Sequence, residues 1–294
     1  MNTIDLSQLP VPTVLEVIDF ESLYAQRKAA TIALFPADRQ AEIAATLELE
    51  SEPLTVSLQE NTYREMNLRQ RINDAARAVM LAYAQKGDLD NLVALIGVRR
   101  LVITPADPEN EIAAVMEEDA DLRKRALLAP LGFSVAGPAD SYKSHALNAD
   151  GGVRDVAVKS PEDGRVLVTV LARAGDGTAP QDLLDKVADA LAAETVRPLT
   201  DHVRVQSATV VPYRVQAALE FFDGPDRAVV KAEALRRLQA YVESCRQIGA
   251  LVATSGIDAA LHVAGIKRVV LAEPAADVIA GDTEAPYCAA IQVE

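Results

Sequence analysis

The fold is organised around residues 53–87, which have the sequence PLTVSLQENTYREMNLRQRINDAARAVMLAYAQKG. Their apolar positions recur at spacings of 4, 4, 3 and 4 residues and fall on one face of an α-helix: Leu68, Ile72, Ala76, Val79 and Tyr83. Proline is favoured in the first turn of a helix and glycine just past its end, so Pro53 and Gly87 predict the boundaries. At 1.5 Å per residue, the predicted helix is about 50 Å long.

A helix this long has two interpretations. It is either a packing helix within one domain or a rod that pairs with a helix of another chain. We favour the rod, because so long an apolar stripe is hard to cover within 294 residues. The predicted partner-helix interface consists of Leu68, Ile72, Val79 and Tyr83.

The segment before this helix is acidic. Residues 1–60 carry ten acidic and three basic side chains, whereas residues 61–100 carry four acidic and seven basic ones. This asymmetry indicates either segments that meet oppositely charged neighbours in an assembly or a solvated acidic arm. Because Pro10 and Pro12 disfavour helix, the first fifteen residues are predicted to be extended. Short helices are predicted after Asp19 and after Pro36.

After residue 149 the pattern becomes β-rich, with helices between the strands. Residues 153–158 and 166–171 predict a β-hairpin around the turn 161–164. The predicted strands beyond it are 203–211, 213–222 and 269–271, and the predicted helices are 180–195, 228–246 and 257–263. The fold class is therefore α+β, a helical N-terminal half with one long helix followed by two tandem strand–helix–strand domains. The predicted divisions are residues 1–52, 53–130, 131–210 and 211–294.

Composition excludes several classes of function. The net charge is −14, there is no Trp, and aromatic residues make up only 4% of the chain, which opposes nucleic-acid binding. No apolar run is long enough for a membrane-spanning helix, and the N-terminus lacks the pattern of a secretory signal. Two cysteines, Cys245 and Cys288, are too few for a disulfide framework. We expect no nucleic-acid partner and no membrane insertion.

Two short motifs resemble ligand-binding loops but lack residues that those loops require. Gly175-Asp176-Gly177 precedes a predicted helix, but Pro180 occupies the third glycine position of a dinucleotide-binding loop. Residues 88–99 begin like a calcium loop but lack its glycine and its final glutamate. We expect Asp90 to cap a helix that ends near Gly97.

No other pattern predicts a reactive centre. His145, His202 and His262 lack the close His or Cys neighbours of a zinc site. Ser255 lacks the flanking glycines of a nucleophile turn and is expected to cap the following helix. The sequence therefore predicts no catalytic residue, no cofactor site and no metal site.

A series of short motifs resembles the baseplate J-like proteins of contractile-tailed phages and phage-tail bacteriocins. Gly87-Asp88-Leu89-Asp90-Asn91-Leu92, with Gly97-Val98 and Arg100, is similar to the family signature Gly…Leu-Asp-x-Leu-Ala…Gly-Val…Arg. Four further motifs follow in the family's order, at residues 136–142, 153–156, 164–168 and 196–205. Val93 stands where alanine is usual, and the first 50 residues carry no matching motif.

The resemblance implies a structural role without catalytic residues. Members form the wedge ring of the baseplate around the tail hub, with two or more copies in each wedge. Their helices contact a neighbouring wedge protein, and the ring dilates to release sheath contraction when fibres engage a cell. Expected partners are other wedge proteins, further copies of the chain, and hub and sheath-initiating proteins. The expected location is a virion or tail-like particle assembled in the host cytoplasm.

Two alternatives from other classes stay open at the level of sequence. One is a soluble enzyme whose α+β region binds a small ligand beside Gly175-Asp176-Gly177. The other is a cytosolic helical adaptor that belongs to no particle.

Overall fold

The computed structural model describes residues 6, 9–134, 136–162, 164–193, 196–198, 200–224 and 226–294. The chain divides into two compact units, Met1–Leu95 and Ile96–Glu294. The first is helical, and the second contains the β-sheets and further helices, so the predicted α+β class is confirmed. The predicted extended arm falls partly on residues 1–5, 7 and 8, outside the described residues. Within the described arm, residues 10–12 have no regular secondary structure.

The helical unit contains α1 (Phe20–Ala33), α2 (Gln40–Thr46), α3 (Pro53–Ala78) and α4 (Lys86–Ala94). Asp19 begins α1, because its carboxylate accepts the N–H of Ser22 at 2.8 Å. Pro53 occupies the first turn of α3, as predicted. One apolar cluster of this unit is formed by the buried Ile43, Leu47 and Leu58, and Leu89 and Val93 of α4 are buried as well.

The long helix is shorter than predicted. It has 26 residues and a length of about 39 Å, and it ends at Ala78 rather than near Gly87. The chain turns after Val79 and Gly87 lies inside α4, so the predicted end is wrong. The turn at residues 79–84 is itself apolar and contains no Gly or Pro, so its sequence continues the helical pattern. The predicted cap at Asp90 is also wrong, because α4 begins after Gln85.

The central domain follows in residues 96–207. Its elements are β1 (Val102–Thr104), β2 (Val115–Met116), α5 (Asp119–Leu128), α6 (Ala139–Ala149), β3 (Val153–Glu162), β4 (Arg165–Ala172), α7 (Gln181–Ala192) and β5 (His202–Ser207). The main sheet has the order β3-β4-β5, with β3 antiparallel and β5 parallel to β4. Helices α6 and α7 cover it around a core that includes Tyr142, Val156 and Leu191.

The C-terminal domain begins at residue 209. Its elements are β6 (Thr209–Phe221), α8 (Arg227–Ser244), β7 (Leu251–Val252), α9 (Thr254–Leu261), β8 (Ile266–Glu273), β9 (Val278–Ile279) and β10 (Glu284–Val293). The sheet order is β10-β6-β8, with β10 parallel and β8 antiparallel to the central strand β6. The side chains of α8 and α9 join those of β6 in one core.

Three details of the sheets differ from the sequence prediction. The predicted turn at 161–164 is narrower, since Glu162 of β3 pairs with Arg165 of β4; Asp163 lies outside the described residues. The predicted strand 203–211 is divided at Ala208, whose N–H donates to the carbonyl of Val170 at 2.8 Å. Strand β10 was not predicted at all. Strand-forming valines lie on both sides of Ala208, so the change of sheet has no signal in the sequence.

No helix in the described part of the chain is both long and apolar enough to cross a bilayer.

Candidate interaction surface

Helix α3 packs against α1, and its buried residues include polar ones as well as Leu58. Thr55, Thr62 and Asn73 are its buried polar residues. Thr62 satisfies its hydroxyl by donating to the carbonyl of Leu58 at 2.7 Å. Surface helices of globular proteins normally bury their apolar stripe, whereas α3 buries these three polar side chains together with Leu58.

Charged side chains hold α1 and α3 together. Arg27 of α1 lies 2.5 Å from the carboxylate of Glu65, and Arg69 donates to the same carboxylate at 2.8 Å. Hydrogen bonds from Arg69 and then Arg27 hold the pKa of Glu65 below its ordinary value. The α1–α3 contact therefore depends on ionised groups as well as on apolar packing.

The N-terminal arm is fixed to the same side of α3. The amide of Asn73 donates to the backbone carbonyl of Glu16 at 2.8 Å and accepts its N–H at 3.0 Å. Arg69 also donates to the Glu16 carboxylate at 2.8 Å. The neighbouring Val17 is fully exposed. Polar contacts anchor the arm, whereas its apolar side chains face solvent.

The predicted interface residues are divided by the end of α3. Leu68, Ile72 and Val79 are 66%, 62% and 69% exposed, and they follow one another at helical spacings of four and seven residues. Tyr83 lies beyond the helix in a turn, where it is half-buried and its N–H donates to Met80. We call Leu68 and Ile72, together with Val79 at the C-cap of the helix, the α3 stripe. An exposed apolar stripe on a helix that buries several polar side chains marks a candidate surface for another protein.

The motif residues near the start of the central domain lie beside a buried ion pair. Arg125 on α5 pairs with Glu117, and their side chains are 5% and 2% exposed. Arg125 also donates to the carbonyl of Arg99 at 2.6 Å and to Asn148 of α6. The pair therefore joins α5, α6 and the chain that enters the domain. Sequence reasoning missed it, because neither periodicity nor spacing marks Glu117 and Arg125 as partners.

Two of the motifs contact each other inside the central domain. Tyr142 donates its hydroxyl to the carboxylate of Asp201 at 2.7 Å. Burial and the hydrogen bond to Asp201 raise the pKa of Tyr142 above its ordinary value. Gly137 has a φ of +78°, and a Cβ there would lie 2.9 Å from Asp201. These motif residues serve the packing of α6 against the segment before β5.

The loop Gly175-Asp176-Gly177 is occupied by contacts within the chain. Asp176 accepts the N–H of Thr178 at 2.9 Å, and the carbonyl of Gly175 accepts a hydrogen bond from Arg246 at 2.6 Å. A Cβ on Gly177 would lie 2.6 Å from Leu171. The loop packs on the core and on the C-terminal domain. These internal contacts argue against nucleotide binding by the loop.

The other candidate residues also have structural surroundings. His145 shares a hydrogen bond with the carbonyl of Gly132 at 2.9 Å, whereas His202 begins β5 and His262 follows α9. Ser255 does not cap α9, because the helix already begins at Thr254. Within the described residues, no three His, Cys, Asp or Glu side chains converge as ligands for a metal ion.

The cap of α9 comes from a distant residue. Asp277 accepts both the N–H and the hydroxyl of Thr254 at 2.8 Å. These hydrogen bonds hold the pKa of Asp277 below its ordinary value. The two residues are 23 positions apart, so no local motif in the sequence identifies the cap.

Comparison with known proteins assigns this arrangement to a class. Residues 50–107 match the baseplate J-like N-terminal domain. Residues 134–207 match the baseplate J-like central domain, and residues 213–294 match the C-terminal domain of baseplate J-like proteins. The class defined by these three domains is that of phage baseplate components with a structural role.

The particular family follows from a full-length relative. The chain is 47% identical to baseplate protein J of Escherichia phage P2 over 295 residues, covering 100% of this chain and 98% of the relative. It belongs to the baseplate J-like family, and the resemblance in the sequence motifs is confirmed.

A solved structure is similar at a greater distance. It is the cryo-EM structure of the anti-feeding prophage baseplate, at 14% identity and a TM-score of 0.41. The match covers 62% of this chain and spans 43% of that chain.

Proposed function

We propose that the chain is a wedge component of the baseplate of a contractile phage tail or tail-like particle. In this role several copies form a ring around the hub, and the ring links fibre engagement to sheath contraction. Family membership supports the baseplate role. The observation that carries the wedge assignment is the α3 stripe, an exposed apolar surface on a helix that buries Thr55, Thr62 and Asn73 beside Leu58.

The proposed occupant of the α3 stripe is a helix of another wedge protein or of a further copy. Full burial of a Val, Leu or Ile side chain is worth about 1.5–3 kcal/mol, and these side chains remain mostly exposed in the single chain. A permanent ring needs interfaces of about 2,000 Å² or more, so the stripe is one part of a larger contact. Hub and sheath-initiating proteins are the other proposed partners.

Within this proposal the segments have different tasks. Residues 53–130 supply the helical wedge contact, residues 1–52 form an acidic arm with short helices, and residues 131–210 and 211–294 form two α+β modules. The chain acts as a structural protein rather than an enzyme, in a particle assembled in the host cytoplasm. The name of the full-length relative supports the location in a baseplate.

The alternatives from other classes have weaker support. A ligand-binding enzyme would use the loop at residues 175–177, but its polar groups already bond within the chain. A cytosolic adaptor would retain the α3 stripe without the particle, so the two roles differ in where the chain is found.

The experiment that tests the wedge contact replaces Ile72 and Val79 by Asp in a strain that produces the particle. Both side chains are exposed, so residues 150–294 should remain folded, as hydrogen exchange can measure. In a complex, each Asp would place a charge in an apolar interface, which costs several kcal/mol. We expect assembled particles to be lost.

A matched control adds the same two charges elsewhere on α3. Ser57→Asp and Asn67→Asp change exposed polar positions and leave the stripe intact, so particles should assemble normally. Normal particles that contain the Ile72→Asp, Val79→Asp chain would contradict the assignment of the stripe.

A further inference from the structure

The C-terminal end of α8 receives its positive charge from another domain. The last turn of α8 contains no basic residue. Arg154, on β3 of the central domain, donates to the carbonyls of Glu243 at 2.8 Å and of Arg246 at 2.9 Å. It also donates to the Glu243 carboxylate at 2.6 Å. A cation is favourable at a helix C-terminus, because unpaired carbonyls and the helix dipole concentrate negative charge there.

The next residue holds the same segment from within the central domain. Asp155 accepts the N–H of Ile248 at 3.1 Å, and its side chain is only 5% exposed. Lys143 lies 3.1 Å from this carboxylate and balances its charge. Arg154 and Asp155 therefore contact both the end of α8 and the chain that leaves it.

A β-bulge allows two consecutive residues to reach one target. Side chains of neighbouring strand residues normally point to opposite faces of a sheet. Here Val153 pairs with Ala172 and Asp155 with Leu171, so Arg154 is an extra residue in β3. Such bulges redirect a side chain. The local irregularity of β3 thus has a specific consequence, since it directs Arg154 towards α8.

Other contacts at the same joint limit its freedom. A single residue, Ala208, separates β5 from β6, and it is buried with Leu171, Ile248 and Ala285. The guanidinium of Arg246 donates a hydrogen bond to the carbonyl of Gly175, in the central domain, at 2.6 Å.

We propose that Arg154 and Asp155 form a latch that fixes the angle between the central and C-terminal domains. The two domains then behave as one rigid body, and the chain enters an assembly with both domains already oriented. The latch acts through the end of α8, so its loss frees residues 244–250 while the two cores stay folded.

The test compares Arg154→Ala with wild type in the full-length chain. Hydrogen exchange of residues 244–250 should become about 10- to 100-fold faster, the range expected for hydrogen bonds to a charged group. Spin labels attached through p-acetylphenylalanine at Asp189 of α7 and Gln239 of α8 leave both cysteines unchanged. We expect their distance distribution to broaden, while exchange in β4 and β6 stays at the wild-type rate.

Two further variants keep the result interpretable. Arg236→Ala removes an exposed ion pair on the same helix and should change neither measurement. If Arg154→Ala unfolds the chain, Glu243→Gln removes only the carboxylate partner and should accelerate exchange of residues 244–250 about 2- to 10-fold. The proposal is overturned if Arg154→Ala folds with wild-type exchange and distances, or if Glu243→Gln leaves local exchange unchanged.

Discussion

The buried ion pair of Glu117 and Arg125 gives the sharpest prediction about stability. Arg125→Met keeps most of the apolar stem and removes the charge. Glu117 is then left as a carboxylate that is 2% exposed, so solvent screening cannot compensate for the lost partner. Breaking a buried pair from one side costs about 3–5 kcal/mol. The carbonyl of Arg99 and the side chain of Asn148 lose a donor as well.

The assay is urea unfolding of the full-length chain, followed by circular dichroism and by hydrogen exchange of α5. Hydrogen exchange shows whether the loss of stability lies in the central domain. This is needed because the chain has two compact units, so a single unfolding curve need not report on one of them alone. The control Lys124→Met changes the preceding residue, whose side chain is 43% exposed and whose nearest carboxylate oxygen is 3.9 Å away. We expect a change of less than about 1 kcal/mol for this control.

A double variant separates the charge from the packing. Glu117→Gln removes the buried charge, so Glu117→Gln with Arg125→Met should cost less than the sum of the two single changes. We expect a coupling of about 1–3 kcal/mol. Equal losses for Arg125→Met and Lys124→Met, or strict additivity in the double variant, would refute this account of the pair.

Two further predictions concern Gly177 and Asp277. Gly177→Ala should lower the free energy of unfolding by about 1–3 kcal/mol, because its φ of +105° is strained for alanine and its Cβ would lie 2.6 Å from Leu171. Gly175 has a φ of +60° and no atom within 4 Å of its Cβ, so Gly175→Ala should cost less in the same urea titration, and equal costs would contradict this account. Hydrogen bonds from Thr254 lower the pKa of Asp277 in the folded chain. The ionised carboxylate therefore stabilises α9 at any pH above its unfolded pKa of 3.8. This contribution is lost as the pH falls through the lower pKa of the folded chain. Asp277→Ala should therefore lower Tm at pH 7 and have no effect once that carboxyl is protonated in wild type; a pH-independent difference would disprove this cap.

The elements that could be predicted from the sequence are those with complete local signals. Pro53 predicted the start of α3, since a first-turn proline acts within one turn of helix, and the helical pattern after Asp19 predicted α1. The hairpin β3–β4 was predicted because alternating valines flank a turn that contains Gly164. In each case the stabilising contact lies within a few residues of the signal.

The features that were not predicted depend on contacts far apart in the chain. The cap of α9 joins residues 23 positions apart, and the latch joins Arg154 to Glu243, 89 positions away. The end of α3 was missed for another reason, since the apolar turn after Val79 has the composition of a helix. The α3 stripe was predicted from periodicity, but periodicity alone did not place Tyr83 beyond the helix.

The central claim is that this chain is a component of a baseplate particle. The most direct measurement is sedimentation of a lysate from a producing strain, followed by mass spectrometry of the particle fraction. The account predicts that the chain pellets at a fixed ratio to sheath and tube proteins. If intact particles pellet without the chain, which stays in the soluble fraction, the baseplate account is contradicted.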